Sequence, residues 1–397
     1  ISFVDTPGHQ DLILTMLSSL SLMDGIIIII NVDQSILKQT QLIQHIIAAK
    51  LSKNNKIIIC LNKIDLITKN VLLTRKKELD SLLLKYQLEP YIIIPCCFNK
   101  FIGLKYATTV SSGTAALEVA IKALGIKKGD EVITAAASFP TTVNPIIQNS
   151  LIPVFVDVEP KTLCLDPNLV EEKITSKTRL ILPVHFAGHA CDLQSITKIC
   201  KKREIVLIED AAHAAGTTYK NKKIGTHGAA TCFSFHPAKN LAMPTGGAIS
   251  LNDKDWKKHE DVLKIRRWCG ISNRKDFSYD ITELGWNFYL NEFSAAIGIE
   301  QLKKLDSLNK KRKKIAKRYS KEIHIEDKMP YNEECSYHFY WICIKNRDRF
   351  MKTMRQIGIE TGIHYKPIHM MSMYRKYKTH IPITEKVGNQ IVSIPTH

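Results

Sequence analysis

The sequence predicts an α/β protein, because apolar runs that end in polar loops alternate with segments whose apolar residues recur at helical spacing. Three stretches support this prediction. One apolar run near the start of the chain ends in the tetrapeptide NKID, and another ends in Glu209 and Asp210. A glycine-containing loop at 111–114 precedes a helical pattern formed by Leu117, Ile121 and Leu124. We therefore look for chemistry in the polar loops that follow these strands.

The length and charge of the chain limit the classes of protein to consider. With 397 residues it has room for two or three domains. The net charge of +18 would suit nucleic acid or an anionic membrane, but lysine and isoleucine are abundant along the whole length, which indicates a compositional bias. The densest basic run, 303–321, has apolar residues at helical spacing. We expect it to be a solvated helix face, with RNA binding as the minority alternative.

Cysteine, histidine and apolar patterns predict a cytoplasmic protein without a metal or a membrane span. The ten cysteines form no CxxC pair, and the adjacent Cys96 and Cys97 cannot easily bridge, so we expect a reducing compartment. His185 and His189 follow a strand and do not have the helical context of a metal pair. The apolar run at 26–30 is too short to span a bilayer, and we find no signal peptide. Because the first residue is Ile, we expect further sequence upstream.

Residues 1–97 contain two polar motifs with the chemistry of guanine nucleotide binding. ISFVDTPGHQD and IIICLNKIDLI are each an apolar strand ending in a polar loop. At the end of the first, Asp5 is placed to meet Mg²⁺ through water, and the amide of Gly8 is placed to meet a γ-phosphate. In the second, Asn62 and Asp65 are suited to recognising guanine.

These motifs resemble those of translational GTPases, and TMLSSLSLMDG most resembles the gamma subunit of eukaryotic initiation factor two. The resemblance implies that His9 orients the attacking water and that Lys63 belongs to the guanine motif. The phosphate loop G-x-x-x-x-G-K-[ST] occurs nowhere in the chain. We therefore expect an incomplete P-loop-GTPase-like α/β segment without measurable GTP affinity, which would take GTP and Mg²⁺ only if the upstream part of a G domain exists.

Two residues suggest a pyridoxal phosphate site. Such a cofactor needs an amine that can bond to its aldehyde and a carboxylate that keeps its pyridine nitrogen protonated. Lys239, in FSFHPAKN, and Asp210, in IVLIEDAAHAAG, are the candidates. Taken singly, each has an ordinary alternative, since most lysines are solvated and an acid that ends a strand often caps the next helix.

The loop of Ser111, Ser112, Gly113 and Thr114 adds a third element. Free amides and the positive end of a helix dipole favour an anion there, and glycine allows close approach of the backbone. The alternative is an ordinary helix cap formed by Ser112 or Thr114. These stretches, together with others in the same order, resemble the DegT/DnrJ/EryC1/StrS aminotransferases from about residue 98 to the end. The matching segments are SSGTAAL, GDEVIT, PVFVDV, PVHFAG, EDAAHAAG, FSFHPAKN, GWNF and GIETGIHYKPIH.

This resemblance implies a fold type I PLP-dependent transferase with a large domain at 98–310 and a small C-terminal α/β domain at 311–397. It also implies a homodimer that aminates a keto-sugar linked to a nucleotide, with glutamate as the amino donor. Lys239 would bond to the cofactor, Asp210 would pair with its pyridinium, and Lys239 would act as the general acid and base. The resemblance assigns the remaining residues as well: His213 and Phe139 to the ring, Gly113, Thr114 and Ser234 to the phosphate, Asn287 to the partner's cofactor, and His364 and Tyr365 to the substrate.

Two departures from the family pattern affect these expectations. Tyr289 stands where the family often has Arg, which puts phosphate or substrate contacts at the dimer interface in doubt. FPTTVNPIIQN resembles a dehydrase branch whose cofactor lysine is a histidine, and Lys239 argues against that branch. The two halves of the chain meet near 96–98 without a linker, which suggests a composite gene. The competing function is a GTP-binding translation factor, represented here by residues 1–97.

Overall fold

The computed structural model describes residues 26–32, 34–51, 57–62, 69–86, 91–95, 106–252, 256–275 and 278–396. The chain divides into two compact units, residues 1–98 with 291–300 and residues 99–290 with 301–397. The predicted nucleotide residues Asp5, Gly8, His9, Lys63 and Asp65 and the junction at 96–98 lie outside the described residues. The predicted domain boundaries at 97 and 310 stay predictions.

The first unit contains a three-stranded parallel sheet in the order β1 (Ile26–Asn31), β2 (Ile57–Asn62) and β3 (Tyr91–Pro95). Helices α1 (Thr40–Leu51) and α2 (Lys69–Lys85) connect these strands, and a 3₁₀ turn occupies Ile36–Lys38. Side chains of β1 and β2 pack into a core with both helices, as expected for parallel strands that are covered by crossover helices. Asn62 ends β2 opposite Asn31.

The second unit is built on a seven-stranded sheet in the order β4-β12-β11-β8-β7-β5-β6. Strand β12 runs antiparallel to both of its neighbours, and the other adjacent pairs are parallel. This mixed, mainly parallel α/β sheet confirms the predicted fold class. Its strands are β4 (Ala107–Val110), β5 (Glu131–Ala135), β6 (Ile152–Val156), β7 (Thr178–Leu182), β8 (Val206–Asp210), β11 (Ala230–Ser234) and β12 (Gly247–Leu251).

Helices cover this sheet because its strands are apolar on both faces. The small residues of α3 (Gly113–Ala123) let that helix pack closely on the sheet, where Ala116, Val119 and Ala120 are completely buried among the side chains of the central strands. The helices that follow the sheet strands are α3 (Gly113–Ala123), α4 (Asn144–Gln148), α5 (Pro167–Lys173), α6 (Leu193–Arg203) and α7 (Trp256–Arg267).

The remaining strands form three antiparallel pairs. They are β9 (Thr218–Tyr219) with β10 (Lys222–Lys223), β13 (Ile271–Lys275) with β14 (Ser278–Ile281), and β15 (Tyr340–Cys343) with β16 (Ile391–Ile394). Helices α9 (Arg347–Gln356) and α10 (Pro382–Gln390) lie in sequence between β15 and β16. Short 3₁₀ helices occupy Pro140–Thr142, Phe186–Gly188, Ile368–Met370 and Ser372–Tyr377.

Helix α8 (Glu292–Glu322) contains the basic run and continues without a break through the predicted boundary at 311. Leu305 is fully buried, whereas Lys304, Lys310 and Lys314 are exposed, which is the arrangement expected of a solvated basic face. None of the helices in the described part of the chain combines the length and apolar content that a bilayer-spanning segment requires.

Candidate functional site

The predicted cofactor residues follow the carboxyl ends of strands that point in the same direction. Asp210 ends β8, and Ser234 ends β11, which pairs in parallel with β8. Strand β4 runs in the same direction as β11, because β12 is antiparallel to both, and it leads directly into Ser112 and Gly113. The topology therefore brings these loops to one edge of the sheet, where α/β proteins bind their ligands.

Asp210 is a buried carboxylate with an organised set of donors. The hydroxyl of Thr142 donates to Oδ2 at 2.7 Å, and the amide of Ala212 donates to Oδ1 at 3.1 Å. Burial raises the pKa of Asp210, while the Thr142 and Ala212 bonds and the Lys239 cation oppose that rise. A buried carboxylate of this kind suits a cationic partner, and a protonated pyridine nitrogen is one.

Lys239 lies in the loop between β11 and β12, where its amide donates to the carbonyl of His236 at 2.8 Å. Burial lowers the pKa of Lys239 to about 8, against the opposing influence of the Asp210 carboxylate. The loss of hydration thus outweighs the attraction of the carboxylate. The neutral amine that a nucleophilic lysine requires is therefore more accessible here than in a solvated lysine, although the protonated form still predominates at pH 7.

His213 is buried beside these two residues. Its Nε2 lies 3.0 Å from the hydroxyl of Tyr365, and its Nδ1 is a buried nitrogen without a hydrogen-bond partner within the described residues. Burial, and then the Lys239 cation, lower the pKa of His213 well below its ordinary value. The ring is therefore neutral, and it can flank an aromatic cofactor without adding a charge.

The loop before α3 forms a cradle at the same edge. Ser112 is the N-cap, and its Oγ accepts the amide of Ala115 at 3.1 Å, so the predicted alternative of a Ser112 cap is observed. The cap does not use the amides of Gly113 and Thr114, which leaves part of the first turn available for an anion. A Cβ on Gly113 would lie 2.6 Å from Cβ of Ser234, so the cradle and Ser234 meet closely enough to require glycine.

Phe139, His364 and Tyr365 form a group of neighbouring rings next to His213. Phe139 is 51 % exposed, and its ring lies 5.6 Å from that of Tyr365. His364 is hydrogen-bonded through Nδ1 to Oγ of Ser393 at 2.6 Å. Burial raises the pKa of Tyr365, so its hydroxyl keeps its proton. The predicted substrate residues are thus adjacent to the predicted ring contacts.

The structure does not bring Asn287 into this cluster. Asn287 is exposed, next to Phe288, whose carbonyl accepts the amide of Ser111 at 2.7 Å. The segment therefore runs beside the phosphate cradle while the Asn287 side chain faces outward. Tyr289, the departure from the family pattern, is 40 % exposed and packs edge to face on Trp268 with ring centroids 4.7 Å apart.

Sequence reasoning missed several residues of the site. Thr142 holds Asp210, and Ser138 in turn lies 2.7 Å from the Thr142 hydroxyl. Thr142 lies in the stretch FPTTVNPIIQN that the sequence singled out, and Ser138 directly precedes that stretch, so hydroxyls close to Phe139 were the available signal. His338 stacks on the ring of His213 at 4.5 Å, but no local pattern marks it, since the two residues are far apart in the chain.

His185 has a structural role in this arrangement. It is completely buried, and its Nε2 lies 2.9 Å from Oε2 of Glu209. The other carboxylate oxygen, Oε1, accepts from the amide of Gly228 and the hydroxyl of Thr231. Because Nδ1 of His185 accepts the amide of Cys191 at 3.2 Å, the proton lies on Nε2. The hydrogen-bonded pair of His185 and Glu209 thus anchors the end of β8, where Asp210 is the next residue.

The residues present fit pyridoxal phosphate on three independent observations. Asp210 is a buried carboxylate that is held by neutral hydrogen-bond donors. An amine with a lowered pKa, Lys239, lies close enough to interact with it. A helix N-terminus with a tight glycine contact lies at the same edge of the sheet. These are the groups that the pyridine nitrogen, the aldehyde and the phosphate need.

Comparison with known proteins agrees with this fit. Residues 96–397 match the profile of the DegT/DnrJ/EryC1/StrS aminotransferase family, and residues 1–157 match that of the elongation factor Tu GTP binding domain. The chain is 34 % identical to the spore coat polysaccharide biosynthesis protein SpsC of Bacillus subtilis, over 70 % of this chain and 76 % of that protein. It is also 34 % identical to the GDP-perosamine synthase of Escherichia coli O157:H7, over 75 % of this chain and 83 % of that protein.

Solved structures show the same similarity in three dimensions. Helicobacter pylori PseC, an aminotransferase involved in the biosynthesis of pseudoaminic acid, superposes with a TM-score of 0.71 at 29 % identity, over 75 % of this chain and 83 % of that chain. The sugar aminotransferase CalS13 of Micromonospora echinospora gives 0.70 at 30 % identity, over 75 % and 84 %. The chain therefore belongs to the DegT/DnrJ/EryC1/StrS aminotransferase family, whose cofactor is pyridoxal phosphate.

Proposed function

We propose that this protein transfers an amino group, with glutamate as the donor, to a keto-sugar linked to a nucleotide. The observation that carries the proposal is the buried Asp210 carboxylate within electrostatic reach of the half-buried Lys239 amine, at the sheet edge that also holds the phosphate cradle. The relatives named GDP-perosamine synthase and PseC support a sugar substrate. Lys239 also favours amination over dehydration, as the sequence predicted.

Different residues of the site would bind different parts of pyridoxal phosphate. Asp210 would hold the pyridine nitrogen, and Gly113, Thr114 and Ser234 would hold the phosphate. His213 and Phe139 would flank the ring. When bound, pyridoxal phosphate supplies an aldehyde that exchanges amines and a ring that accepts electrons.

Lys239 is the group that moves protons. Because burial lowers its pKa to about 8, its Nζ can accept the proton from the α carbon of the amino donor and return one to the carbon that receives the amino group. Thr142 keeps Asp210 oriented throughout by its bond to Oδ2. We assign His364 and Tyr365 to substrate contact, because Tyr365 bonds to His213 and its ring lies next to that of Phe139.

We further propose a homodimer. Five large apolar side chains on or beside the hairpin β13–β14 are exposed in the single chain, to between 37 % and 84 %. An exposed cluster of this kind is typical of a protein interface. Asn287 lies in the same segment and is exposed, which suits its expected contact with the partner's cofactor. The five side chains are those of Trp268, Tyr279, Ile281, Leu284 and Tyr289.

A titration tests the cofactor assignment. On addition of pyridoxal phosphate, purified protein is expected to develop a visible absorbance band that differs from that of the free cofactor. Lys239→Ala is expected to abolish this band, since the amine assigned to bond to the aldehyde is gone. Lys128→Ala, at an exposed lysine, is the matched control. Unchanged absorbance in Lys239→Ala would show that the assignment is wrong. Release of 2-oxoglutarate from glutamate, measured with a panel of nucleotide-linked keto-sugars, then identifies the substrate.

The second candidate function, guanine nucleotide binding, concerns the first unit. It is favoured by the match of residues 1–157 to the elongation factor Tu GTP binding domain. The parallel order β1-β2-β3, with Asn62 at the carboxyl end of β2, also agrees with it. The absent phosphate loop counts against nucleotide affinity in these 397 residues.

A further inference from the structure

His338 covers one face of His213. The two imidazole rings are stacked, with centroids 4.5 Å apart and planes 27° apart. Phe186 and Phe339 meet the same His213 ring edge on, at 6.4 and 5.5 Å, and the hydroxyl of Tyr365 holds its Nε2. The plane of His213 is therefore set by its neighbours on several sides, and His338 is the neighbour that stacks closest.

The hydrogen bonds of Asn240 define the proton position on His338. The side-chain amide of Asn240 donates to Oδ1 of Asn309 and to the carbonyl of Ser336, both at 2.9 Å. Both amide hydrogens are thereby used, so the Asn240 Oδ1, which lies 3.2 Å from Nδ1 of His338, must accept. His338 therefore carries its proton on Nδ1, and burial lowers its pKa well below the ordinary value.

Two backbone positions with unusual φ angles adjoin His338, one before it in the chain and one bonded to its amide. Ala187 and Tyr337 have positive φ angles of 55° and 49°, which are unusual for residues with a side chain. The amide of His338 donates to the carbonyl of Ala187 at 2.9 Å and joins the two strained positions. Ser336 Oγ also donates to the carbonyl of His213 at 3.2 Å. Such strain persists where the surrounding structure demands a particular placement, and functional sites are where it concentrates.

We propose that His338 is a positioning residue of the cofactor site, which fixes the plane of His213 by stacking and fixes Asn240, the neighbour of Lys239, by its Nδ1 hydrogen bond. The proposal rests on the proposed function, because it assumes that His213 flanks bound pyridoxal phosphate. His338 would thereby connect the ring-binding residue and the lysine loop through one neutral imidazole.

Two substitutions separate the two contacts. His338→Asn keeps a donor near the position of Nδ1 but has no ring, and His338→Phe keeps the ring but has no donor. Loss of the stack in His338→Asn is expected to weaken the binding of pyridoxal phosphate roughly three- to tenfold, as for other aromatic pairs. His338→Phe is expected to keep the wild-type affinity but to move the midpoint of the pH titration of the visible absorbance, because Asn240 loses its donor next to Lys239. His324→Asn, at an exposed histidine, is the control.

The outcomes separate this inference from the proposed function. If the wild-type protein gives no visible absorbance with pyridoxal phosphate, the proposed function itself is wrong. If the wild-type protein binds and both variants match it in affinity and titration midpoint, His338 has no positioning role. Thermal unfolding without cofactor shows whether each variant folds. If His338→Phe fails to fold, Asn240→Ala is used instead to remove the hydrogen bond. If His338→Asn fails to fold, His338→Gln is used instead to remove the ring.

Discussion

At the residue scale, the site depends on how burial acts on groups of opposite charge. Loss of hydration raises the pKa of Asp210 and lowers that of Lys239, so each group has a smaller tendency to be charged than it would in water. The attraction between them opposes both shifts without cancelling either. Burial therefore disfavours the charged forms of Asp210 and Lys239. A cofactor that pairs with the carboxylate and bonds to the amine would offset that cost.

This balance predicts a pH dependence of stability. The pKa of Lys239 falls from 10.5 to about 8 on folding, so between these values the unfolded chain binds more protons than the folded one. Stability should then rise with pH across this window, by at most about 3 kcal/mol from this one group. In cofactor-free protein, the difference in unfolding free energy between the wild type and Lys239→Met should shrink from pH 8 upward. Lys128→Met is the control, and a difference that stays constant with pH would contradict a buried amine.

At the scale of elements, the site exists because the ends of β4, β8 and β11 converge. The cradle needs α3 to begin against the end of β11, and Gly113 permits this because any Cβ there would overlap Ser234. The two positions should therefore be coupled in stability and in phosphate binding. Their contact is a property of two elements that are distant in sequence.

A double-mutant cycle tests this coupling. Gly113→Ala is expected to destabilise the protein by about 1–3 kcal/mol through overpacking. Gly113→Ala combined with Ser234→Gly should recover much of that loss, because the obstructing Cβ is gone. Binding of inorganic phosphate should stay weak in the double variant, which lacks the Ser234 hydroxyl. Additive losses in urea denaturation would show that the two residues do not contact each other.

At the scale of the whole molecule, the chain contains an aminotransferase and a segment that matches a GTP binding domain. The proposed dimer places the exposed apolar side chains of the β13–β14 region in an interface.

Leu284→Lys is expected to convert the dimer to a monomer, because Leu284 is 84 % exposed in the single chain and a charge there would be buried by a partner. Sedimentation velocity measures this, with Ile357→Lys as the control at another exposed apolar residue. A protein that sediments as a monomer before substitution would contradict the dimer.

The first unit leads to a prediction of weak or absent nucleotide affinity. The phosphate loop supplies most contacts to the β- and γ-phosphates in P-loop proteins, and these 397 residues contain no such motif. Calorimetry with GTP and Mg²⁺ is expected to show no binding in the micromolar range. Heat that saturates with one nucleotide per chain would support the second candidate function.

The sequence by itself determined the α/β class and the family, and it predicted which lysine and which carboxylate serve the cofactor, because strand periodicity and short motifs are local properties of the chain. It also predicted the solvated face of α8. It could not predict that Thr142 holds Asp210 or that His338 stacks on His213, because the residues in each contact are far apart in the chain and no local motif links them. Only the tertiary structure decides how deeply each group is buried, and burial sets the pKa of Lys239 and Asp210. The pKa of Lys239 is lowered because the folded chain removes water from its amine.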